Sequence, residues 1–333
     1  MAVKRRPEFG LEGRVLLDKI NYETGTIIIK GKEYNLKDKE FPTIDPKDPF
    51  KLTKSEEQVM EKLADNFTKS YKLKRHMEFL FDKGSLYLIY NDNVLYHGCV
   101  PTHADGTFKE FEIEKGLKLK GRALLDKFDE LARKAYYQND GRVNDWLWYL
   151  WCGSCSPLFG KDQMTTFERY FIADKSTHKE HQDAYFKLRD DVAFCSKVLE
   201  EFGLDSNTAH IINGHIPVKV KEGESPIMAE GKLLVIDGGF SKAYQGVTGI
   251  AGYTLIYNSY GLRLSAHGAF ESVEKAITEE QDILFSTFVL DRVTRKTVSD
   301  TGVGGDVKEQ ISELELLLEA YKDGQLIKKW SVK

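Results

Sequence analysis

Residues 209–219 read AHIINGHIPVK, and residues 232–245 read KLLVIDGGFSKAYQ. In each stretch a short apolar run, rich in Ile, Leu or Val, passes directly into a polar turn that contains glycine. Short apolar runs bounded by turn signals are typical of buried β-strands. The two stretches therefore predict two buried strands, each ending in a turn whose residues a rigid sheet can hold in place.

Outward from these strands, the chain alternates between the patterns of strands and of amphipathic helices. Alternation with period two predicts hairpins within residues 19–36, 84–98 and 252–270 and a last strand within 282–290. A capping box at Thr53 and Glu56 predicts the start of a helix. Apolar spacing of three and four predicts further helices from about residue 73 and over 121–137, 183–202 and 307–321. The fold class expected is mixed α/β (α+β), with more antiparallel pairing in the second half.

Composition excludes several classes of protein. The chain has 333 residues, 41% of them hydrophobic, which is enough for a sizeable core. A net charge of −4 gives no basic excess, so nucleic acid is not an expected partner. The longest apolar stretch, Trp146–Trp151, is far shorter than a membrane span, so no membrane partner is expected either. Four scattered cysteines are typical of a reduced protein and predict a cytoplasmic location.

Two histidines stand where an apolar strand gives way to a glycine-containing turn: His97, before Gly98, and His215, after Gly214. Strand ends on a sheet hold ligands in fixed positions, and a neighbouring glycine lets the backbone approach a bound group. Either histidine taken alone is more typical of a structural residue than of a ligand. Together they form a candidate pair of site residues.

Other motifs have structural and chemical interpretations. Cys152 and Cys155 in WCGSC match the spacing of a dithiol oxidoreductase, but the preceding residues lack a strand pattern, and buried, inert thiols are the alternative. His178 and His181 have the spacing of a weak metal site without a third ligand. The run GVGGD at 302–306 lacks the Lys-Ser/Thr ending of a P-loop and is expected to be a flexible cap before the last helix.

HGCVP (97–101), INGHIPVK (212–219) and VIDGGFSKAYQGVTGIAGYTLIYNS (235–259), together with KRRPEF (4–9) and MTTFERYF (164–171), resemble the bacterial class III fructose-1,6-bisphosphatases. That family is similar to the calcineurin-like metallophosphoesterases, in which a sandwich of two sheets flanked by helices holds two metal ions at strand ends. The resemblance implies hydrolysis of fructose 1,6-bisphosphate to fructose 6-phosphate and phosphate, a step of gluconeogenesis, by a water that two metal ions activate. It also implies Mn²⁺ as cofactor, with His97 and His215 as ligands of one ion.

The same resemblance suggests roles for four further residues. Lys161 and Arg169, on either side of MTTF, are candidates for binding the substrate phosphate, with a surface charge or a structural ion pair as the alternative. Asn213 would shape the turn around His215. Asp237 would either orient a histidine ligand or simply form a turn.

The family's early motifs, Asp-x-His-Gly, Gly-Asp-x-x-Asp-Arg and Gly-Asn-His-Glu, do not occur in this sequence. We therefore expect residues 1–72 to be part of the family's insert region and 73–333 the C-terminal half of an incomplete metallophosphatase domain. We expect an exposed apolar surface, a partner that is either the missing N-terminal half or a second copy, and weak or no activity of the chain alone. The alternative is a non-catalytic fragment or assembly module.

Overall fold

Short strands and amphipathic helices alternate along the chain, as the patterns predict. The computed structural model describes residues 2–138, 141–239, 241–249, 252–268, 272–280, 285–289 and 295–326. Within them the strands are β1 (Ile20–Asn21), β2 (Thr26–Ile29), β3 (Lys32–Asn35), β4 (Tyr87–Tyr90), β5 (Asn93–Tyr96), β6 (Phe111–Glu114), β7 (Leu117–Leu119), β8 (Ile211–Asn213), β9 (Ile227–Met228), β10 (Leu233–Val235), β11 (Gly252–Asn258), β12 (Gly261–His267) and β13 (Phe285–Val289). The α-helices are α1 (Ala2–Arg5), α2 (Lys54–Thr68), α3 (Tyr71–Lys83), α4 (Gly121–Gln138), α5 (Gly141–Cys152), α6 (Thr166–Phe171), α7 (Tyr185–Leu188), α8 (Val192–Glu201), α9 (Lys242–Thr248), α10 (Val273–Thr278) and α11 (Gly302–Lys322). The mixed α/β class is confirmed.

The chain divides into two compact units. The first comprises Met1–Leu88 and Tyr96–Arg189, and the second comprises Ile89–Leu95 and Asp190–Lys333. The boundary expected between residues 72 and 73 separates the family's insert region from its metallophosphatase domain. The two compact units do not test this boundary, so it stays a prediction.

The core of the first unit is built on α4 and α5. The apolar stripe predicted on α4 is buried, with Leu124 and Phe128 fully inaccessible to solvent. The aromatic segment 143–151 is helical, and its Trp146 and Tyr149 pack against Phe9 with ring centroids 4.9 and 4.7 Å apart. These large rings dominate the apolar area that the unit buries.

The first unit also contains the predicted N-terminal hairpin and the capped helix. β1, β2 and β3 form an antiparallel sheet in which Ile27 and Ile29 face the core. Thr53 caps α2 through its side chain, and the carboxylate of Glu56 accepts a hydrogen bond from the Thr53 backbone at 2.7 Å, so the capping box is present.

Two sheets pack against each other in the second unit. One has the strand order β4-β5-β8-β10-β9, and the other has the order β11-β12-β13. Ile212 and Leu234 from the first sheet share an apolar cluster with Leu262 from the second. The antiparallel pairing of β11, β12 and β13 agrees with the hairpin and last strand predicted there.

β5, β8 and β10 run in the same direction. β8 and β10 are parallel, with Ile211 opposite Leu233. The first residue of β5, Asn93, accepts a hydrogen bond from the backbone of His210 through its side chain, and the backbone of Val94 donates to the His210 carbonyl (3.2 and 3.0 Å). Because β5 and β8 begin side by side, they also run parallel.

Two sequence-based expectations about helices are wrong. The helix expected over residues 183–202 is two helices, α7 and α8, because Asp191 has an extended backbone and caps α8 by accepting a hydrogen bond from the backbone of Phe194 (2.7 Å). The GVGGD run is the first turn of α11 rather than a flexible cap, and Thr301 is its N-cap. A Cβ at Gly304 would lie 1.9 Å from the carbonyl oxygen of Val298, so glycine is required by close packing of this turn.

Three helices expose large apolar side chains, as the expected apolar surface requires. α2 and α3 bury no residue, and α11 buries only Gly304. Phe67 on α2 is 67% exposed and Leu314 on α11 is 64% exposed. None of the described helices combines the length and the apolar character needed to cross a membrane.

Candidate metal and substrate residues

The turn after β8 holds His215 in an unusual backbone conformation. Asn213 is buried, and its carbonyl accepts a hydrogen bond from the backbone of Ile236 (2.9 Å), which ties the end of β8 to the segment after β10. The backbone of Ile216 then donates to the carbonyl of Gly214 (2.8 Å), and His215 between them has φ 68°. A γ-turn with positive φ is rare and strained, and such strain in a non-glycine residue clusters at functional sites.

Asp237 forms a turn beyond β10. Its side-chain Oδ1 accepts a hydrogen bond from the backbone of Gly239 (3.0 Å), and its carbonyl accepts one from the backbone of Val218 (2.9 Å). The contact with Gly239, two residues away, is that of a turn residue, which is one of the two expected roles, whereas the contact with Val218 joins this turn to the segment after β8. The orienting contact to a histidine stays a prediction.

His97 follows directly after β5 and has an exposed side chain. The segment beyond it is held tightly within the first unit. The backbone of Cys99 donates to the carbonyl of Pro157 (3.1 Å), and the backbone of Thr102 donates to the carboxylate of Asp183 (3.0 Å). Asp183 is itself buried and accepts a further hydrogen bond from Lys109 Nζ (2.9 Å), so an ion pair with a buried carboxylate anchors the segment that begins at His97.

Lys161 and Arg169, the candidate phosphate-binding residues, surround one carboxylate. Lys161 Nζ lies 2.9 Å from Glu180 Oε2, and Arg169 Nη2 lies 3.7 Å from Oε1. The backbone and hydroxyl of Thr165 also donate to Glu180 Oε1, at 2.9 and 3.0 Å. Burial alone would raise the pKa of Glu180, but the hydrogen bonds from Thr165 and Lys161 outweigh it and lower the pKa to about 2. The structure thus brings the two cations together as a structural ion-pair network, the alternative that the sequence left open.

The histidines of the first unit that have the spacing of a weak metal site are engaged separately. His178 Nε2 lies 2.9 Å from the carbonyl of Ile172, and His181 Nδ1 lies 2.9 Å from Asp162 Oδ2. Two rings with different partners do not form a shared site.

The residues present supply only part of the ligand set that a metal ion needs. Among the described residues, no three His, Cys, Asp or Glu side chains come together as a possible metal site. His97 and His215 offer two imidazoles, whereas Mn²⁺ takes about six ligands. The described residues therefore do not complete the two-ion centre that the resemblance implies.

Comparison with known proteins identifies the family. The profile of the Firmicute fructose-1,6-bisphosphatases matches residues 1–323. The chain belongs to this family. It is 58% identical to the "Fructose-1,6-bisphosphatase class 3" of Clostridium acetobutylicum over 99% of this chain and 50% of that relative. The proteins of the same name from Clostridium novyi and Clostridium tetani are 56% and 57% identical over 97% of this chain and 49% of each relative. The chain thus spans about half the length of the curated relatives it matches, and no solved structure matches it.

In this member of the fructose-1,6-bisphosphatase family, the WCGSC thiols lie in positions unsuited to redox chemistry. Cys152 is the last residue of α5, where the helix dipole disfavours a thiolate. Burial raises the pKa of Cys152 to about 11 and also raises the pKa of Cys155. The geometry favours the inert-thiol interpretation.

Sequence reasoning missed two carboxylates, Glu180 and Asp183. Glu180 pairs with the candidate residues Lys161 and Arg169. Asp183 accepts a hydrogen bond from the segment that follows His97. Both lie in the charged run STHKEHQD (176–183), which resembles a solvated surface loop. The aromatic pair Tyr185 and Phe186 directly after the run is buried. This aromatic pair is the sequence feature that could have indicated that the charged run leads into the protein interior.

Proposed function

We propose that this chain is the C-terminal half of a fructose 1,6-bisphosphate 1-phosphatase, whose other half carries the early metal motifs. The observation that carries the proposal is the family match over residues 1–323 combined with coverage of only about half of each relative. The substrate would be fructose 1,6-bisphosphate, and the products fructose 6-phosphate and phosphate. A calcineurin-like sandwich of two sheets, incomplete in this chain, is part of the proposal, and the packing of Ile212 and Leu234 against Leu262 supports it. A cytoplasmic location remains a prediction.

In this proposal His97 and His215 bind one Mn²⁺ through neutral imidazole nitrogens. The bound ions would supply positive charge to the phosphoryl oxygens and lower the pKa of a bound water. The positive φ of His215, fixed by the Gly214–Ile216 hydrogen bond, sets the direction in which its ring leaves the backbone. The buried Asn213 holds that turn to the segment that leads to Asp237, so we assign both residues a positioning role toward His215.

We also propose that Lys161 and Arg169 attract the substrate phosphate. Lys161 Nζ already pairs with the carboxylate of Glu180, so a phosphate must compete with that carboxylate for the ammonium group. The Arg169 side chain is 54% exposed. Its Nε contacts the Thr165 hydroxyl (3.2 Å) and its Nη2 donates to the carbonyl of His178 (3.1 Å), so a phosphate would bind through the remaining N–H groups of the guanidinium. Arg169 is therefore expected to contribute more to substrate binding than Lys161.

The exposed apolar faces of α2, α3 and α11 support a polypeptide partner, which we propose is the missing N-terminal half or a second copy of the chain. Apolar areas of this kind mark interaction surfaces. The incomplete ligand set predicts weak or no activity without the other half. The same exposed faces also favour the second candidate function, a non-catalytic assembly module.

The test measures phosphate release from fructose 1,6-bisphosphate with Mn²⁺. Three samples are compared: the chain alone, the polypeptide that corresponds to the unmatched half of the Clostridium acetobutylicum relative, and their mixture. His215→Ala and His97→Ala are tested in the mixture, with His103→Ala, at an exposed histidine outside α2, α3 and α11, as the matched control. We expect activity in the mixture only, loss with His215→Ala and His97→Ala, and no change with His103→Ala.

Two results would oppose the proposal. Turnover by the chain alone at the level of the mixture would contradict the need for a second half. A mixture that forms a stable complex and releases no phosphate would favour the assembly module.

A further inference from the structure

A cavity of about 380 Å³ lies in the second unit, at the edge of the five-stranded sheet where β5, β8 and β10 begin. Asn93, His210 and Lys232 line it, and each is the first residue of one of these strands or the residue just before it. His215 and Asp237 follow the opposite ends of β8 and β10. The cavity is therefore separate from the residues proposed to serve the metal ion.

Two lysines and two carboxylates are the charged residues that line this cavity. Lys232 and Lys296 are half-buried, and among the described residues no carboxylate forms an ion pair with either of them. Lys232 Nζ donates to the carbonyl of Ser206. Lys296 Nζ lies 5.9 Å from the centre of the Tyr257 ring. The two lining carboxylates, Asp92 and Glu230, belong to exposed residues.

Tyr257 provides the second observation. Its ring packs beside Leu262 in the apolar cluster between the sheets, and its hydroxyl oxygen is buried. Within the part of the chain that the structure describes, this hydroxyl has no hydrogen-bond partner. Buried hydroxyls are almost always hydrogen-bonded, so an unpartnered one on a residue that lines a cavity points to a partner that a bound ligand would supply.

We propose that this cavity binds a small organic anion through Lys296, Lys232 and the Tyr257 hydroxyl. The two ammonium groups and the hydroxyl match the oxygens of a phosphate ester or a carboxylate. The Tyr257 ring and Leu262 offer apolar surface to its carbon skeleton. A volume of about 380 Å³ lies within the range of small-molecule sites. The proposal does not rest on phosphatase activity.

The test is isothermal titration of the full chain after a chelating resin has removed metal ions, so that a metal-bound anion cannot contribute. Glycerol 3-phosphate and succinate are the two anionic probes, and glycerol is the neutral control. We expect one anion or both to bind and glycerol not to bind, and the anion that binds more tightly identifies the ligand class. Lys296→Met should weaken binding about tenfold or more, and Tyr257→Phe should weaken it in the same direction. Lys322→Met, a surface lysine on α11, is the matched control and should bind as the wild type does.

A second measurement keeps the proposal testable if a variant fails to fold. Acetylation of lysines in the wild-type chain, read by mass spectrometry, should slow at Lys296 when the anion is present and remain unchanged at Lys322. Binding unaffected by both Lys296→Met and Tyr257→Phe, no binding of either anion, or no protection of Lys296 would each overturn the proposal.

Discussion

Replacing Glu180 with Gln tests whether Lys161 and Arg169 stabilise the fold through this carboxylate. The side chain of Glu180 is only 15% exposed and receives hydrogen bonds from Lys161 Nζ and from both the backbone and the hydroxyl of Thr165. Gln keeps the shape of the side chain and resembles the protonated acid. The substitution therefore removes the charge and leaves the packing in place.

The magnitude follows from the pKa of Glu180, which is lowered from 4.5 to about 2. At about 1.4 kcal/mol per pKa unit, the charged form contributes about 3 kcal/mol to the free energy of unfolding. Because the folded-state pKa is the lower one, this contribution is fully present above pH 4.5 and is lost as the pH falls toward 2. We expect Glu180→Gln to lower the free energy of unfolding by about 3 kcal/mol at pH 7 and by about 2 kcal/mol at pH 3.5.

Urea denaturation of both proteins at pH 7, 5 and 3.5 measures this difference. Glu130→Gln is the matched control, because Glu130 pairs with Lys127 at 2.8 Å but is 59% exposed. Its loss should stay below about 0.5 kcal/mol at every pH. A Glu180→Gln effect as small as that of the control, or one that does not shrink toward low pH, would refute the reasoning.

Three further predictions concern burial. Asp183→Ala should lower the free energy of unfolding by about 3–5 kcal/mol, because it leaves Lys109 and two backbone donors without their buried acceptor. Urea denaturation measures this loss, and a loss under about 1 kcal/mol would contradict the prediction. Cys152, with a pKa of about 11, should react with iodoacetamide at pH 8 about a hundredfold more slowly than after unfolding in guanidinium; equal rates would show an accessible thiolate. Leu124→Ala should destabilise the chain by about 2–5 kcal/mol, whereas Leu314→Ala on exposed α11 should change stability by less than about 0.5 kcal/mol; thermal denaturation compares them, and equal losses would mean that α11 is covered in solution.

Much of the fold is encoded locally and could be predicted. The capping box of α2 involves residues three positions apart, and the buried stripe of α4 follows from apolar spacing within a single helix. The hairpin of β11 and β12 likewise depends on alternation within one short segment. In each case the interacting groups are neighbours along the chain, so the pattern is visible without the tertiary structure. The family motifs at His97 and His215 are local in the same way.

The tertiary structure decided how individual side chains are used. Lys161 and Glu180 are 19 positions apart, and their ion pair exists because the chain folds back to bring them within 2.9 Å. The positive φ of His215 depends on hydrogen bonds at the end of a buried sheet, and the cavity beside Tyr257 depends on where two sheets meet. Residue type and spacing indicate which chemistry a side chain can support. Which partner it has, and how deeply it is buried, is set by packing between segments distant in sequence.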